Sequence, residues 1–220
     1  MDVLKEISRD QVEPLVNELA EMLSQRGVYA HLRVVGGAAL LLHDVTDRLT
    51  HDIDAVPPSG DPLWRQWGTL VELVAEIGAR HGLSSDWLNG NAGMFIPPNA
   101  VWETITRTDT LTLEVASLET LLAMKMASGR IKDEPDVRSL VCRLGLQHDP
   151  AKAVDIAYDM YGEDSVNLND GRQSYLWYME AICDRITHDD QTNMPPLHRL
   201  LSFGRGLPDA SEDLQQGEEP

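Results

Sequence analysis

The stretch VVGGAALLLHDVTDRLTHDIDAV, residues 34–56, sets two glycines behind a β-branched run, a continuous apolar segment behind the glycines, and two aspartates around one isoleucine. Residues 29–35, YAHLRVV, read as a strand running into Gly36, and GAALLLHDV is too apolar for a surface helix and suits a buried one. THDIDAV reads as a second strand closed by Pro57 and Pro58. Side chains alternate across a strand, so Asp52 and Asp54 share one face while Ile53 turns to the other. Two like charges in an apolar setting cost free energy unless a cation neutralises them, and a pair of oxygen ligands favours a hard ion such as Mg²⁺. The same spacing suits two ions about 4 Å apart, one activating an attacking oxygen and one stabilising the leaving oxygen of a phosphoryl or nucleotidyl transfer. Gly36 and Gly37 fit that chemistry, because a turn without Cβ atoms lets backbone N–H groups approach a phosphate at a helix start. Each part has a blander account: Asp-x-Asp occurs on solvated strand edges, and paired glycines let a helix and strand pack closely. It is the combination that points to a phosphate and metal site.

Working outward, 220 residues with 42% hydrophobic content supply one large domain or two small ones with an ordinary core. The formal charge of −18 falls partly on the end of the chain, PDASEDLQQGEEP, which reads as a solvated acidic tail. The remainder is still acidic, which excludes broad binding to DNA or to any nucleic-acid backbone and leaves RNA contacts local. Cys142 and Cys183 have neither zinc nor disulfide spacing and read as buried thiols in a reducing compartment. MDVLKEISRD has no signal-peptide pattern, and no run approaches the roughly 18 apolar residues that span a bilayer, so the expected location is the cytoplasm with no membrane partner.

Residues 10–26 place Val12, Leu15, Val16, Leu19, Met22 and Leu23 on one helical face, with Asp10 and Glu13 at capping-box spacing and Pro14 near the start. LWRQWGTLVELVAEIGARHG has helical periodicity and a stop at Gly82. SSDWLNGNAGMFIPP reads as a polar connection anchored by Trp87 and Met94, and VWETITRT with LTLEVAS reads as a hairpin around Asp109 and Thr110. From Leu118 onward the pattern is helical. The expected organisation is a mixed α/β part at 1–117, a helical part at 118–202 and an acidic, disordered tail at 203–220.

VVGGAAL followed by RLTHDIDAV resembles the signature of the minimal nucleotidyltransferases of the DNA polymerase β superfamily. With WLNGNAGMF and VASLETLLAMKMASGRIKDEPDVRSL, the likeness extends over roughly residues 30–145 and narrows to uncharacterised bacterial nucleotidyltransferases, DUF6036-like and related to AbiEii-type toxins. The resemblance implies an α+β fold: a small mixed sheet flanked by helices, followed by a helical C-terminal part. It also implies that Asp52 and Asp54 bind Mg²⁺ holding the triphosphate of an NTP. A third carboxylate helps activate the acceptor hydroxyl in that superfamily. Here its candidate is Glu114, in place of the usual aspartate, with Thr112 and Glu114 outward and Leu111, Leu113 and Val115 toward the core. By the same likeness Lys125, followed by Asp133 or Asp136, belongs to the site, and Arg48 or Arg130 adds a planar donor fork near Thr50 and the phosphates. The alternatives are a snorkelling Lys125 between Met124 and Met126, and a solvated helix face for Arg130, Lys132, Asp133 and Asp136. Trp87 and Asn89 border the nucleotide pocket by resemblance, although a tryptophan anchoring its loop is the simpler reading.

His43 and His51 read as structural, with His51 projecting opposite the aspartates, and neither has a metal-ligand spacing. Ser84 and Ser85 lack the partners of a hydrolase triad. The implied activity is transfer of NMP from an NTP to an RNA hydroxyl, as at a tRNA 3′ end, or to a protein hydroxyl, within a toxin–antitoxin or abortive-infection system. The rival reading is an inactive nucleotidyltransferase fold serving as antitoxin or binding a partner, since an acidic surface suits a basic protein and repels tRNA.

Overall fold

The computed structural model describes residues 5–188. It has a five-stranded mixed sheet with β1 (Ala30–Val35) at its centre, in the order β3-β2-β1-β5-β4. β2 (Ile53–Val56) pairs antiparallel with β1, and β5 (Leu111–Ala116) pairs parallel with it. The edges are β3 (Leu88–Asn89), parallel to β2, and β4 (Trp102–Arg107), antiparallel to β5. The helices among the described residues are α1 (Arg9–Gln25), α2 (Gly36–Leu42), α3 (Trp67–His81), α4 (Leu118–Ser128), α5 (Glu134–Arg143), α6 (Pro150–Tyr161) and α7 (Arg172–Thr187). This is the α+β architecture expected from the sequence. None of these helices is long and apolar enough to cross a membrane.

Alternation divides the sheet into two chemically distinct faces. Ala30, Leu32, Val34, Ile53, Leu111, Leu113 and Val115 are all fully buried, and they join one continuous core with Val12, Val16 and Leu19 of α1 and Leu70 and Ile77 of α3. Each valine, leucine or isoleucine among them contributes about 1.5–3 kcal/mol through removal from water. The register sets His31, Arg33 and Val35 of β1 on the opposite face, level with Thr112 and Glu114 of β5 and with Asp54 and Val56 of β2. The core does not stop at the sheet: Leu121, Leu122 and Met126 of α4, Val137 of α5, Val154 of α6 and Met179 of α7 belong to it.

Several local expectations change. The first helix begins at Arg9, five residues before Pro14, and its cap is Ser8, whose backbone N–H donates to Gln11 Oε1 at 3.0 Å. Asp10 and Glu13 are not the cap, and Glu13 instead accepts a hydrogen bond from Thr106. Trp87 is the buried anchor of its loop, its indole N–H donating to the Val74 carbonyl at 2.8 Å. Met94 is not an anchor, being 78% exposed. The connection between them also contributes β3, too short to show any alternation. Cys183 is buried and its thiol pushed up to about 11 by burial first and then by Asp184, whereas Cys142 is exposed rather than buried. The tail at 203–220 and residues 189–202 of the expected helical part lie outside the described residues.

Candidate active site

The site begins where β1 hands over to α2. Gly36 has φ +68°, and a Cβ there would lie 2.7 Å from Asp54 Oδ2. Gly37 makes room in the same way, since its Cβ would meet Thr50 Oγ1 at 2.9 Å. The two glycines therefore let the residues around the Asp-x-Asp approach the β1–α2 turn, and Gly36 and the Asp54 carboxylate line the same cleft. α2 has only seven residues, so its dipole adds little to the cleft.

Asp54 stands on the same rung as Val35 of β1 and Asn89 of β3. Asp52 lies immediately before β2, where Asn89 Nδ2 donates to its Oδ2 at 3.0 Å and Thr50 Oγ1 donates to its backbone carbonyl at 3.0 Å. Burial, and then the neighbouring Asp52 charge, push Asp54 up to about 6, against the opposing effects of the Ala92 backbone N–H, Arg130 and Lys125. The two carboxylates are thus electrostatically coupled, as the spacing requires. Neither forms an ion pair within 4 Å among the described residues.

Lys125 does not snorkel. Its side chain is only 11% exposed, and Nζ donates to Asp133 Oδ1 at 2.8 Å and to Asp136 Oδ2 at 2.7 Å. Arg48 reaches Asp136 at 3.0 Å, and Arg130 Nε reaches Asp133 at 3.1 Å, with Ser128 also donating to Asp133. Burial works to raise the Asp133 carboxyl, but the Lys125 hydrogen bond and charge, with Ser128 and Arg130, hold it below the usual range. Both candidate aspartates, Asp133 and Asp136, are therefore buried partners of Lys125 rather than members of a solvated face. Three cations against two carboxylates leave this network positive. It borders a cleft of about 820 Å³ lined by Gly36 and Asp54 and by Lys125, Arg130 and Lys132, with Asp170 also in the wall and Phe95 and Met124 adding apolar surface, while Asp52, coupled to Asp54, lies outside that lining. Arg48 and Thr50 support the site from outside that lining.

Glu114 is not brought to the aspartate pair. It shares their sheet face but pairs with Arg33, whose own partner is Val56, one pleat away from Asp54. Two strand spacings and one pleat separate the Cα atoms of Glu114 and Asp54 by about 12 Å. Arg33 Nε binds its carboxylate at 2.7 Å and His31 Nε2 approaches at 3.2 Å. Burial raises the carboxyl, and those hydrogen bonds and charges hold it below the usual range. Continued one residue beyond its last pair, Val34 with Val115, the β1–β5 register brings Ala116 level with Val35 and so with Asp54. Glu114→Gln is accordingly expected to keep any activity of the protein within a few-fold while lowering the urea midpoint, because it removes the ion pair to Arg33. A loss of activity beyond about a hundredfold in that variant would return Glu114 to the chemistry.

The histidines are structural or peripheral: His43 Nε2 bonds the Ala116 carbonyl at 2.8 Å, and His51 is solvent-exposed beside Glu6 rather than packed opposite the aspartates. The hydroxyl of Ser84 bonds Asp86 within its turn. The resemblance sets Asn89 at the border of a nucleotide pocket through its place in WLNGNAGMF, and the contact with Asp52 is the role the sequence does not show.

The donor set can be tested against a metal ion. No group of three or more His, Cys, Asp or Glu side chains that could hold a metal exists among the described residues. Two coupled, unpaired carboxylates fit a hexacoordinate ion that keeps water and takes further oxygens from a bound phosphate, as Mg²⁺ does. They do not form a complete protein cage.

The site therefore joins a glycine turn to an Asp-x-Asp strand in a mixed sheet, with Lys125, Arg130 and Lys132 in the same cleft as Asp54. Residues 10–87 match the model of a family described as a nucleotidyltransferase of unknown function (DUF6036), which supports a transferase class. The match includes Gly36, Gly37, Arg48, Thr50, Asp52 and Asp54, and ends before Glu114, Lys125, Arg130 and Asp133. No curated protein and no solved structure matches the chain.

Proposed function

We propose that the chain is a Mg²⁺-dependent enzyme that transfers NMP from an NTP to a hydroxyl of RNA, tRNA included, or of protein, in the cytoplasm and within a toxin–antitoxin or abortive-infection system related to the AbiEii-type toxins. The observation that carries this reading is Asp54, set against Gly36, coupled to the Asp52 charge and lining one cleft with Lys125 and Arg130. An acceptor oxygen attacks the α-phosphorus, the bond from that phosphorus to the oxygen bridging the β-phosphate breaks, pyrophosphate leaves with that oxygen, and the hydroxyl proton passes to solvent water. Asp52 and Asp54 would hold Mg²⁺, which when bound neutralises triphosphate charge and favours the alkoxide form of the acceptor. Arg130 and Lys132 line the cleft where the triphosphate would lie, and Lys125 adds positive charge from a fixed position.

Label transfer tests this. The protein is incubated with each α-labelled NTP, Mg²⁺, total RNA and lysate protein, and one fraction is expected to acquire label in proportion to pyrophosphate released. The Asp52→Ala, Asp54→Ala double variant should transfer none. A second reading, a binding module with little turnover, is favoured by the absence of a third carboxylate on the Asp54 rung. It would be supported by no transfer from any NTP together with a stoichiometric complex with a co-expressed protein.

A further inference from the structure

The least expected part of the site is its edge strand. β3 has two residues, and the register places Asn89 beside Asp54 on β2. Asn89 Oδ1 accepts the Asn91 backbone N–H at 2.9 Å, which decides which end of the amide is oxygen. Nδ2 is thereby directed to Asp52 Oδ2 at 3.0 Å, and lies 3.4 Å from the Asp86 carbonyl. One oxygen of Asp52 is held by the amide, while Oδ1 has no protein hydrogen bond among the described residues. Asp52 precedes β2, so the ladder does not fix its side chain, and Asn89 is the side chain that does.

We propose that Asn89 is a positioning residue of the metal site, fixing the Asp52 carboxylate and, as a neutral amide, limiting the site to two negative charges. This rests on the metal-dependent reading above. An aspartate at residue 89 would have nearly the same shape and would put a third carboxylate next to Asp54. Three carboxylates could hold a divalent ion without help, whereas two leave coordination positions for the phosphates of an incoming nucleotide. The amide therefore favours arrival of the ion together with its nucleotide. Partners that orient a ligating carboxylate affect metal affinity about 10–100-fold.

The test is titration of the full chain with Mn²⁺ in the absence of nucleotide, with free Mn²⁺ followed by electron paramagnetic resonance. The Asp52→Ala, Asp54→Ala double variant provides the baseline for ions taken up by other acidic groups. Above that baseline, Asn89→Ala is expected to bind about tenfold more weakly than wild type, and Asn89→Asp more tightly, because the added carboxylate ligand outweighs the lost amide donor. The opposite directions separate positioning and charge from general loss of structure, and the near-isosteric Asn89→Asp is informative even where Asn89→Ala misfolds. Wild-type affinity in a folded Asn89→Ala, or no tightening in Asn89→Asp, overturns the role of Asn89 and leaves the metal reading intact. Wild type binding no better than the double-variant baseline overturns the metal reading, and the role of Asn89 with it.

Discussion

Asp54→Asn is expected to abolish nucleotidyl transfer, by at least about a thousandfold, and to raise the melting temperature of the metal-free protein at pH 8. Both effects come from the same carboxylate. Burial and the Asp52 charge push Asp54 from 3.8 up to about 6, so at pH 8 the folded protein holds an ionised group that would be more comfortable in water. Two units correspond to about 3 kcal/mol, and solvent screening at the cleft reduces this to about 1–2 kcal/mol. Asparagine keeps the shape of the side chain and an oxygen for the Ala92 N–H while removing the charge. For a chain of this size the gain should appear as a rise of about 2–8 °C. The pH dependence has a definite sign. The folded-state value lies above the unfolded one, so native Asp54 binds the extra proton and wild-type stability from this group falls as pH rises from about 4 to about 6. The advantage of Asp54→Asn should be absent at pH 4 and complete by pH 7. Glu114 and Asp133 are held below their usual range and have the opposite sign, losing their stabilisation as pH falls, but they are common to both proteins and cancel. Calorimetry at a series of pH values reads the difference. A variant less stable than wild type at pH 8 would show that the carboxylate is a structural partner rather than a group held ready for a cation.

What could be read from the sequence was largely what is local. Periodicity identified α1 and α3, alternation identified the β4–β5 hairpin and the outward position of Glu114, and the glycine turn with Asp-x-Asp identified the β1–α2–β2 unit. A strand pattern says which way a side chain points and not what faces it. Glu114 points to the site face, yet its partner Arg33 lies 81 residues earlier in the chain, and that pairing takes it out of reach of Asp54. The Lys125 network shows the same limit: Asp133 and Asp136 are within a dozen residues, but Arg48, which bridges to Asp136, is 88 residues away. Asn89 carries the weakest local signal, because an edge strand of two residues has no period and its bond to Asp52 spans 37 residues. The glycine pair signals close approach, and the protein group that comes close to Gly36 is Asp54, which no local pattern names.

That close approach gives Gly36→Ala an effect that backbone strain alone would not produce. An L-residue at φ +68° costs about 1–2 kcal/mol, a penalty that any alanine in the left-handed region incurs. At Gly36 the new methyl group would also lie 2.7 Å from Asp54 Oδ2, closer than real Cβ atoms come, so the carboxylate must move. Asp54 has little freedom to do so, because its backbone is fixed in the β1–β2 ladder and its side chain accepts the Ala92 N–H. A displacement of about 1 Å at a reacting centre lowers the rate about a hundredfold. Gly36→Ala is therefore expected to lose about 2 kcal/mol in urea unfolding and at least about a hundredfold in label transfer. Gly60 supplies the control, with φ +76° and nothing within 4 Å of the place a Cβ would take, so Gly60→Ala should lose similar stability from strain and keep its transfer activity. If both variants retained activity, the contact between Gly36 and Asp54 would have no part in the reaction, and the glycine would be there only to turn the chain. Loss confined to Gly36→Ala locates the requirement at the Asp54 carboxylate, because the backbone penalty is common to both substitutions.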